Sequence, residues 1–372
     1  MGDFVSQGLF QAGENYIGQG GVGPTSNGLP NSNLSWESTN QFDIGFDLSL
    51  LNNRVFIIGD YYRKKTYDLL FNVDLPGTSG YSSITTNLGE MENKGLEFSI
   101  TTKNLVGNIK WTTEANITYN KNMILSLPNG EDQFSGIGIV REGEALGSFY
   151  GYIFDGVFAS DQDVPEGLTT GGGINFEGGD AIFKNVNSDN IINEKDMSII
   201  GNAQPDFVGG VGNTISYKNF NLNVLLTYSI GNDIYNSLEQ MRAGNGFSPN
   251  PRPYVYENTW RKQGDQTDVP VNWMVKPVGN DRNSSRWVED GSYLRIKTVT
   301  LGYNFNDELL RKLKVESLKI VLTGQNIWTF TNYLGYDPEV VTTSSENSRQ
   351  FGIDNARMPI PTTYMLSLNV GF

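Results

Sequence analysis

The sequence predicts an all-β fold: an antiparallel up-and-down transmembrane β-barrel, present incompletely as about nine to eleven strands of ~9–14 residues. Three observations carry that expectation. Segments of roughly ten residues alternate large apolar with small or polar side chains. The connections between these segments alternate short with long. The alternation also runs into the last residue, where Phe372, Val370, Leu368, Leu366 and Tyr364 interleave with Gly371, Asn369, Ser367 and Met365. Chain ends are ordinarily frayed and polar, so an ordered, half-apolar end implies a strand that the sheet needs.

The elements follow in order. Residues 1–39 are rich in Gly, Asn and Ser and read as a loop-rich lead-in. In QFDIGFDLSL, Phe42, Ile44, Phe46, Leu48 and Leu50 alternate with Asp43, Gly45, Asp47 and Ser49, which suits one lipid-facing and one water-facing side. A tight turn at Asn52-Asn53 leads to RVFIIGDYYRKK, since Asn tolerates positive φ. A longer excursion over 66–91 precedes ENKGLEFSITT. A brief turn near Val106-Gly107 leads into NIKWTTEANITYN, closing a strand region over 40–120. Residues 121–206 read as a large outer loop region with none or one extra hairpin, drawn from GEALGSFYGYIFDGVF. The final region, 207–372, holds DFVGGVGNTISYK and FNLNVLLTYSI, joined at Lys218-Asn219, then YLRIKTVTLGYNF and ESLKIVLTGQNIW, joined by NDELLRKLKV with one helical turn. In YLRIKTVTLGYNF, Leu294 and Ile296 occupy one phase and Val299, Leu301 and Tyr303 the other, so a bulge is expected near Lys297-Thr298.

Short connections at about 52, 106, 219 and 306–315 thus alternate with long ones at 66–91, 121–206, 231–291 and 328–362. A meander sorts its loops this way when every short turn lies at one end, as in outer-membrane barrels with short periplasmic turns and long outer loops.

Composition narrows function. Hydrophobic residues make up 38%, aromatics 12%, and Gly numbers 43, a balance that favours strands and loops over helix. No stretch approaches the ~18 apolar residues of a membrane helix, and mean hydropathy is −0.36. An alternating barrel strand hides from such averages. A net charge of −14 argues against nucleic acid as a partner. With no Cys and no His, disulfides, thiolate nucleophiles and the commonest general base and metal ligand are absent.

Several stretches resemble the SusC/RagA-like branch of the TonB-dependent outer-membrane transporters of Bacteroidetes. They are NSNLSWESTNQFDIGFDLSLLNNRVFIIGDYYRKKTYDLL, LPGTSGYSSITTNLGEMENKGLEFSI, GSFYGYIFDGVF, IIGNAQPDFVGGVGNTISYKNFNLNVLLTYSIGNDIYN, SYLRIKTVTLGYNF, LTGQNIWTFTNYLGYDPEV and the terminal aromatic strand. Together they cover most of residues 30–372 in the family's order. The resemblance implies a plug inside a barrel of roughly 22 strands, located in the bacterial outer membrane. It implies uptake of glycan or peptide fragments driven through the TonB complex, with a SusD-like surface lipoprotein as lid. Residues 1–372 match the carboxy-terminal half of such a barrel. The plug, the TonB box and the first strands have no counterpart, so the chain alone is expected to be inactive.

Three groups of residues invite a chemical reading. In the loop 180–201, Asn185, Asn187, Asp189, Ile191, Asn193 and Asp196 fall at calcium-loop positions one, three, five, seven, nine and twelve. Asn190 stands at the turn position usually held by Gly. The loop is therefore either a structural calcium site or an Asn-rich turn closed by its own hydrogen bonds; no cofactor is otherwise required. Among the loop aromatics, Tyr256, Trp260, Trp273 and Trp287 are the candidates for stacking on substrate, and loop packing is the other role such rings play. Asp43, Asp47 and Glu114 face the water side and read as lumen lining rather than a catalytic pair, so no enzymatic activity is expected. The run Arg63-Lys64-Lys65 reads as a solvated strand end close to lipid and lipopolysaccharide phosphates. The competing classes are an extracellular β-rich carbohydrate-binding or adhesin module and a small self-contained porin-like barrel.

Overall fold

The computed structural model describes residues 10–16, 19–24, 29–81, 83–244, 251–271, 278–339 and 351–372. Its largest element is a nine-stranded antiparallel sheet in strict sequence order. The strands are β1 (Ser38–Leu50), β2 (Val55–Asp74), β3 (Ser83–Val106), β4 (Ile109–Ser126), β5 (Phe207–Tyr217), β6 (Phe220–Ile230), β7 (Tyr293–Asn304), β8 (Ser317–Thr331) and β9 (Thr363–Gly371). Every strand expected from the alternation is there, including the last. Among the described residues β1 and β9 each pair on one side only, so the sheet is an open part of a barrel wall.

Directly opposed residues of an antiparallel ladder share a face, and the register turns strand patterns into continuous rows. One row runs Ile44–Tyr61–Leu96–Tyr119–Phe207–Ile230 across six strands. The next runs Phe46–Gly59–Phe98–Ile117–Gly209–Tyr228–Leu294–Phe330. Near the other end lies Tyr217–Phe220–Tyr303–Ile320–Leu368. These side chains are open to the surroundings, with Ile44 61% and Leu368 63% exposed, so this face needs an apolar solvent. A Cβ on Gly59 would meet the Phe46 ring at 2.5 Å; glycine there lets the ring lie across the neighbouring strand. The opposite face is polar, as in the row Asn116–Gly210–Thr227–Arg295–Thr329.

The bulge expected in β7 is present. The ladder to β6 slips between Ile296 and Thr298, which keeps both apolar phases of β7 on the outer face. Short connections lie at 51–54, 107–108, 218–219 and 305–316. The first uses left-handed Leu51, Asn52 and Asn53, and the last contains helix α3 (Asp307–Leu313) capped by Asn306.

The structure departs from the sequence expectation in two places, at 66–91 and within 1–39, and in 121–206 it has the alternative without an extra wall hairpin. The excursion at 66–91 is mostly ladder: β2 and β3 run 20 and 24 residues and stay paired to Asp74–Ser83. Bulges at Thr66/Leu69 and a left-handed Asp68 break the alternation that would have revealed it. β4 runs on to Ser126 and pairs directly with β5, so 121–206 adds no further strand to the wall; Ser148–Tyr152 and Phe154–Val157 pair within the loop region. Within 1–39, Phe10–Tyr16 pairs with Gln19–Pro24, a Gly-rich ladder without apolar periodicity.

The buried apolar core lies in the long connections rather than in the wall. Phe149, Tyr235, Trp287 and Ile353 form one cluster. Phe158, Phe176, Phe183, Ile192 and Val278 form a second. A third, with Phe71, Ile124 and Val140, sits where the hairpin β2–β3 and β4 leave the wall.

Candidate functional site: the outer loop assembly

The described parts of the links 127–206, 231–292 and 332–362 pack together over the end of the wall opposite the short turns. Helices α1 (Ser237–Gly244) and α2 (Pro253–Asn258) belong to the middle link. Of the four aromatic candidates, two are buried. Trp287 is 2% exposed and its indole N–H donates to the Arg282 carbonyl at 3.0 Å. Trp260 donates to the Ala159 carbonyl at 2.9 Å, tying two links together, and its ring presses on Gly179. Tyr256 is 67% exposed, with the Arg261 guanidinium over its ring at 5.3 Å. Trp273 lies outside the described residues. Tyr254, on the same helix, is also exposed, and its hydroxyl donates to Asp268 at 2.7 Å. That bond, with burial second, holds its proton more tightly than usual. Beside them Arg286 lies against the rings of Trp287 and Phe154 at 4.5 and 5.5 Å. Burial pulls its guanidinium down to about 10, still protonated at neutral pH. The sequence reading missed Arg286, which no periodic pattern marks.

The loop read as a calcium site brings its six residues onto one tight turn. Asn187 Oδ1 accepts from the Asp189 amide at 3.1 Å, and Asp189 Oδ1 from the Ile191 amide at 2.8 Å. Asp196 is fully buried and accepts from the amides of Val186 and Asn193 at 2.8 and 2.9 Å. Ser188 and Asn190 are left-handed, so Asn190 does perform the turn for which the template uses Gly. Ile191–Ile192 forms a parallel ladder with Thr169–Thr170, fixing the loop to its neighbour. A cavity of about 500 Å³ beside it is lined by Tyr152, Thr170, Asn193, Glu194, Lys195 and Arg282. Asn185 Oδ1 is buried with no hydrogen-bond partner, which is costly for an amide oxygen. Among the described residues no three carboxylates converge as a metal cage. A cation here would rest on amide and backbone oxygens, with Asp189 and Asp196 supplying charge.

At the mouth of the wall Arg295 crosses from the inner face of β7 to the last long link. Its guanidinium meets Asp337 at 2.5 Å and Glu339 at 2.7 Å with 3% of the side chain exposed. Lys297, the bulge residue, and the Tyr293 hydroxyl also bind Glu339. The sequence offered one unused signal: Asp337-Pro-Glu339, two acids flanking a proline, opposite basic residues in a strand.

The inner carboxylates do not form a catalytic pair. Asp43 and Glu114 stand on β1 and β4, more than three strand spacings or about 14 Å apart. Asp43 and Asp47 are four residues apart on one strand, about 13 Å. Glycosidase pairs need roughly 5–9.5 Å.

This architecture matches known proteins. The family profile described as "TonB dependent receptor-like, beta-barrel" covers residues 5–327. TonB-dependent receptor P3 of Formosa agariphila is 39% identical over 357 residues, 92% of this chain and 35% of the relative. SusC of Bacteroides thetaiotaomicron is 29% identical across 92% of this chain and 32% of its own. The structure of the RagAB peptide transporter superposes with a TM-score of 0.81 at 22% identity, over all of this chain and 39% of that one. The chain therefore spans about a third of the length of these proteins. Proteins of this family are outer-membrane transporters and receptors, which agrees with the apolar outer face of the wall. The chain belongs to the TonB-dependent receptor β-barrel family, in its SusC/RagA-like branch.

Proposed function

We propose that this chain supplies the closing wall and outer mouth of a TonB-dependent importer of glycan or peptide fragments. A SusD-like surface lipoprotein would work over its loops, and the TonB complex would act through parts of the protein outside residues 1–372. The observation that supports this most is the two-sided wall: register-continuous apolar rows outside, polar rows inside, and every long link at one end. An extracellular adhesin or sugar-binding module has no use for exposed apolar rows across nine strands. A self-contained small barrel would pair its edges. Tyr254, Tyr256, Arg261 and Arg286 offer ring faces and cationic donors at the mouth, a surface suited to oligomers rich in hydroxyls, amides or carboxylates. Without a plug the wall has nothing to gate, so activity is assigned to the full receptor.

The test is uptake. Cells deleted for the full-length receptor gene are offered fluorescent oligosaccharide and oligopeptide pools, with and without an active TonB system. TonB-dependent accumulation of one pool, lost on deletion, is the expected result. Accumulation unaffected by deletion would remove the proposal.

We also propose that the 185–196 loop holds one structural calcium. The unpartnered Asn185 oxygen favours this reading over a self-sufficient turn. The ion would crosslink the loop and supply no chemistry.

A further inference from the structure

On the membrane-facing side three cations stand in one row. Arg63 is opposite Lys94, and Lys94 is opposite Lys121, so the three side chains leave the same face of adjacent strands. The row lies one step beyond Tyr61–Leu96–Tyr119, where hydrocarbon gives way to headgroups. Opposed Cβ atoms are about 5 Å apart, which brings three positive heads within reach of one anion. A single carboxylate stands among them: Glu92, nearly buried, 2.5 Å from Arg63 and 3.6 Å from Lys94. Arg63 and Lys94 nevertheless keep 59% and 44% of their side chains exposed. Lys121 is exposed and has no ion pair among the described residues. Three positive charges against one negative leave an excess of two in a chain whose net charge is −14. The next pair outward, Lys65–Glu90 at 2.8 Å, is already neutral.

Beside this row a groove of about 890 Å³ opens on the same face, lined by Ile117, Tyr228, Ile230, Leu294, Trp328 and Phe330 among others. Ile117 is four residues from Lys121 along β4, about 13 Å. Charge complementarity calls for an anion at the row, and the groove calls for hydrocarbon.

We propose that Arg63, Lys94 and Lys121 bind the phosphate of an outer-leaflet lipid whose acyl chain lies in the adjoining groove. Glu92 acts as a positioning residue, holding two of the cations side by side without neutralising the third. The site rests on the outer-membrane placement of the wall and not on what is imported, so its loss would leave the uptake reading standing.

The test uses the full-length receptor, extracted in mild detergent, with bound lipid counted by native mass spectrometry. The probes are bisphosphorylated lipid A and the same lipid after enzymatic dephosphorylation. The triple variant Arg63→Gln, Lys94→Gln, Lys121→Gln is expected to lose affinity for the phosphorylated lipid on the order of 100-fold, at about tenfold or less per cation. The dephosphorylated lipid should bind wild type and variant alike. Lys312→Gln, at the opposite end, should change nothing. If the triple variant fails to assemble, Lys121→Gln alone breaks no ion pair and should weaken retention about 5-fold. Equal retention by the assembled variants, or wild-type binding indifferent to the phosphates, would overturn the proposal.

Discussion

Arg295 has 3% of its side chain exposed and two carboxylates for partners, which makes it the residue whose loss the mouth can least absorb. Replacing it by Met would strand Asp337 with no cation and leave Glu339 to Lys297. Breaking a buried pair from one side costs about 3–5 kcal/mol, which should free residues 332–339 without unfolding the wall. Hydrogen exchange of that segment checks it: unchanged protection in Arg295→Met would show the ion pairs idle. The same latch has a pH signature. Burial pushes Asp337 up, but the bonds from Arg295 and the amides of Ile360 and Glu339 outweigh it and hold the carboxyl below its ordinary value. A depressed folded value gives stability that is complete above the unfolded value near ~3.9 and fades as pH falls through the folded one. Protection of 332–339 should therefore be flat from about pH 8 to 5 and drop only below about 4. A drop centred near pH 6 would assign the latch to another group. Single residues were the least legible scale in the sequence. Tyr256 and Trp287 carry the same aromatic promise as letters, yet one is open and the other is 2% exposed, because burial is decided by partners from distant links.

Strands were legible because each carries its own period of two, and the bulge of β7 was legible because it interrupts that period. Its purpose yields a second prediction. With Lys297 in place, Leu294 and Ile296 join Val299 and Leu301 on the outer face. Deleting Lys297 removes the extra residue, so half of β7 must turn over and Arg295 must face lipid. An Arg on the lipid face of a barrel costs up to about 1 kcal/mol near the membrane interface, where Arg295 lies, and loss of the latch, about 3–5 kcal/mol, would be the larger part. The deletion should abolish the heat-modifiable, protease-resistant receptor in outer membranes, while Lys297→Gly, which keeps the count, should not. Equal assembly of both variants would mean the bulge can migrate. The loop strands were not legible for the opposite reason. Runs of two to six residues such as Ile191–Ile192 and Met197–Asn202 are too short to show a period and exist only because neighbours supply the ladder. The calcium reading belongs at this scale too. Millimolar calcium should raise protection of 185–196 in hydrogen exchange and EGTA should reverse it, with Asp189→Ala abolishing the difference. Identical exchange in both buffers would leave the loop an ordinary Asn-rich turn.

At the scale of the whole molecule the sequence already sorted the connections by length, and the structure places the sorted ends apart. The four short connections close one rim of the wall, while the packed cores with Phe149 and Phe158 sit over the other. A protein that folds its dry core outside its membrane band must expose that core's loops on one side of the membrane. Residues 1–372 contain no cysteine, so within this chain an introduced thiol is the sole target of a maleimide, and the unsubstituted full receptor supplies the background. Glu166 is an exposed position in the 127–206 link, and Glu308 on α3 keeps 76% of its side chain open at the short-turn rim. In intact cells a membrane-impermeant maleimide should label the full receptor carrying Glu166→Cys and spare the one carrying Glu308→Cys. Permeabilising the outer membrane should then make both react. The reverse pattern would invert the wall and put the cation row Arg63–Lys94–Lys121 in the inner leaflet. Labelling of both in intact cells would mean that the apolar rows do not span a membrane, and the receptor reading of this chain would fall with them.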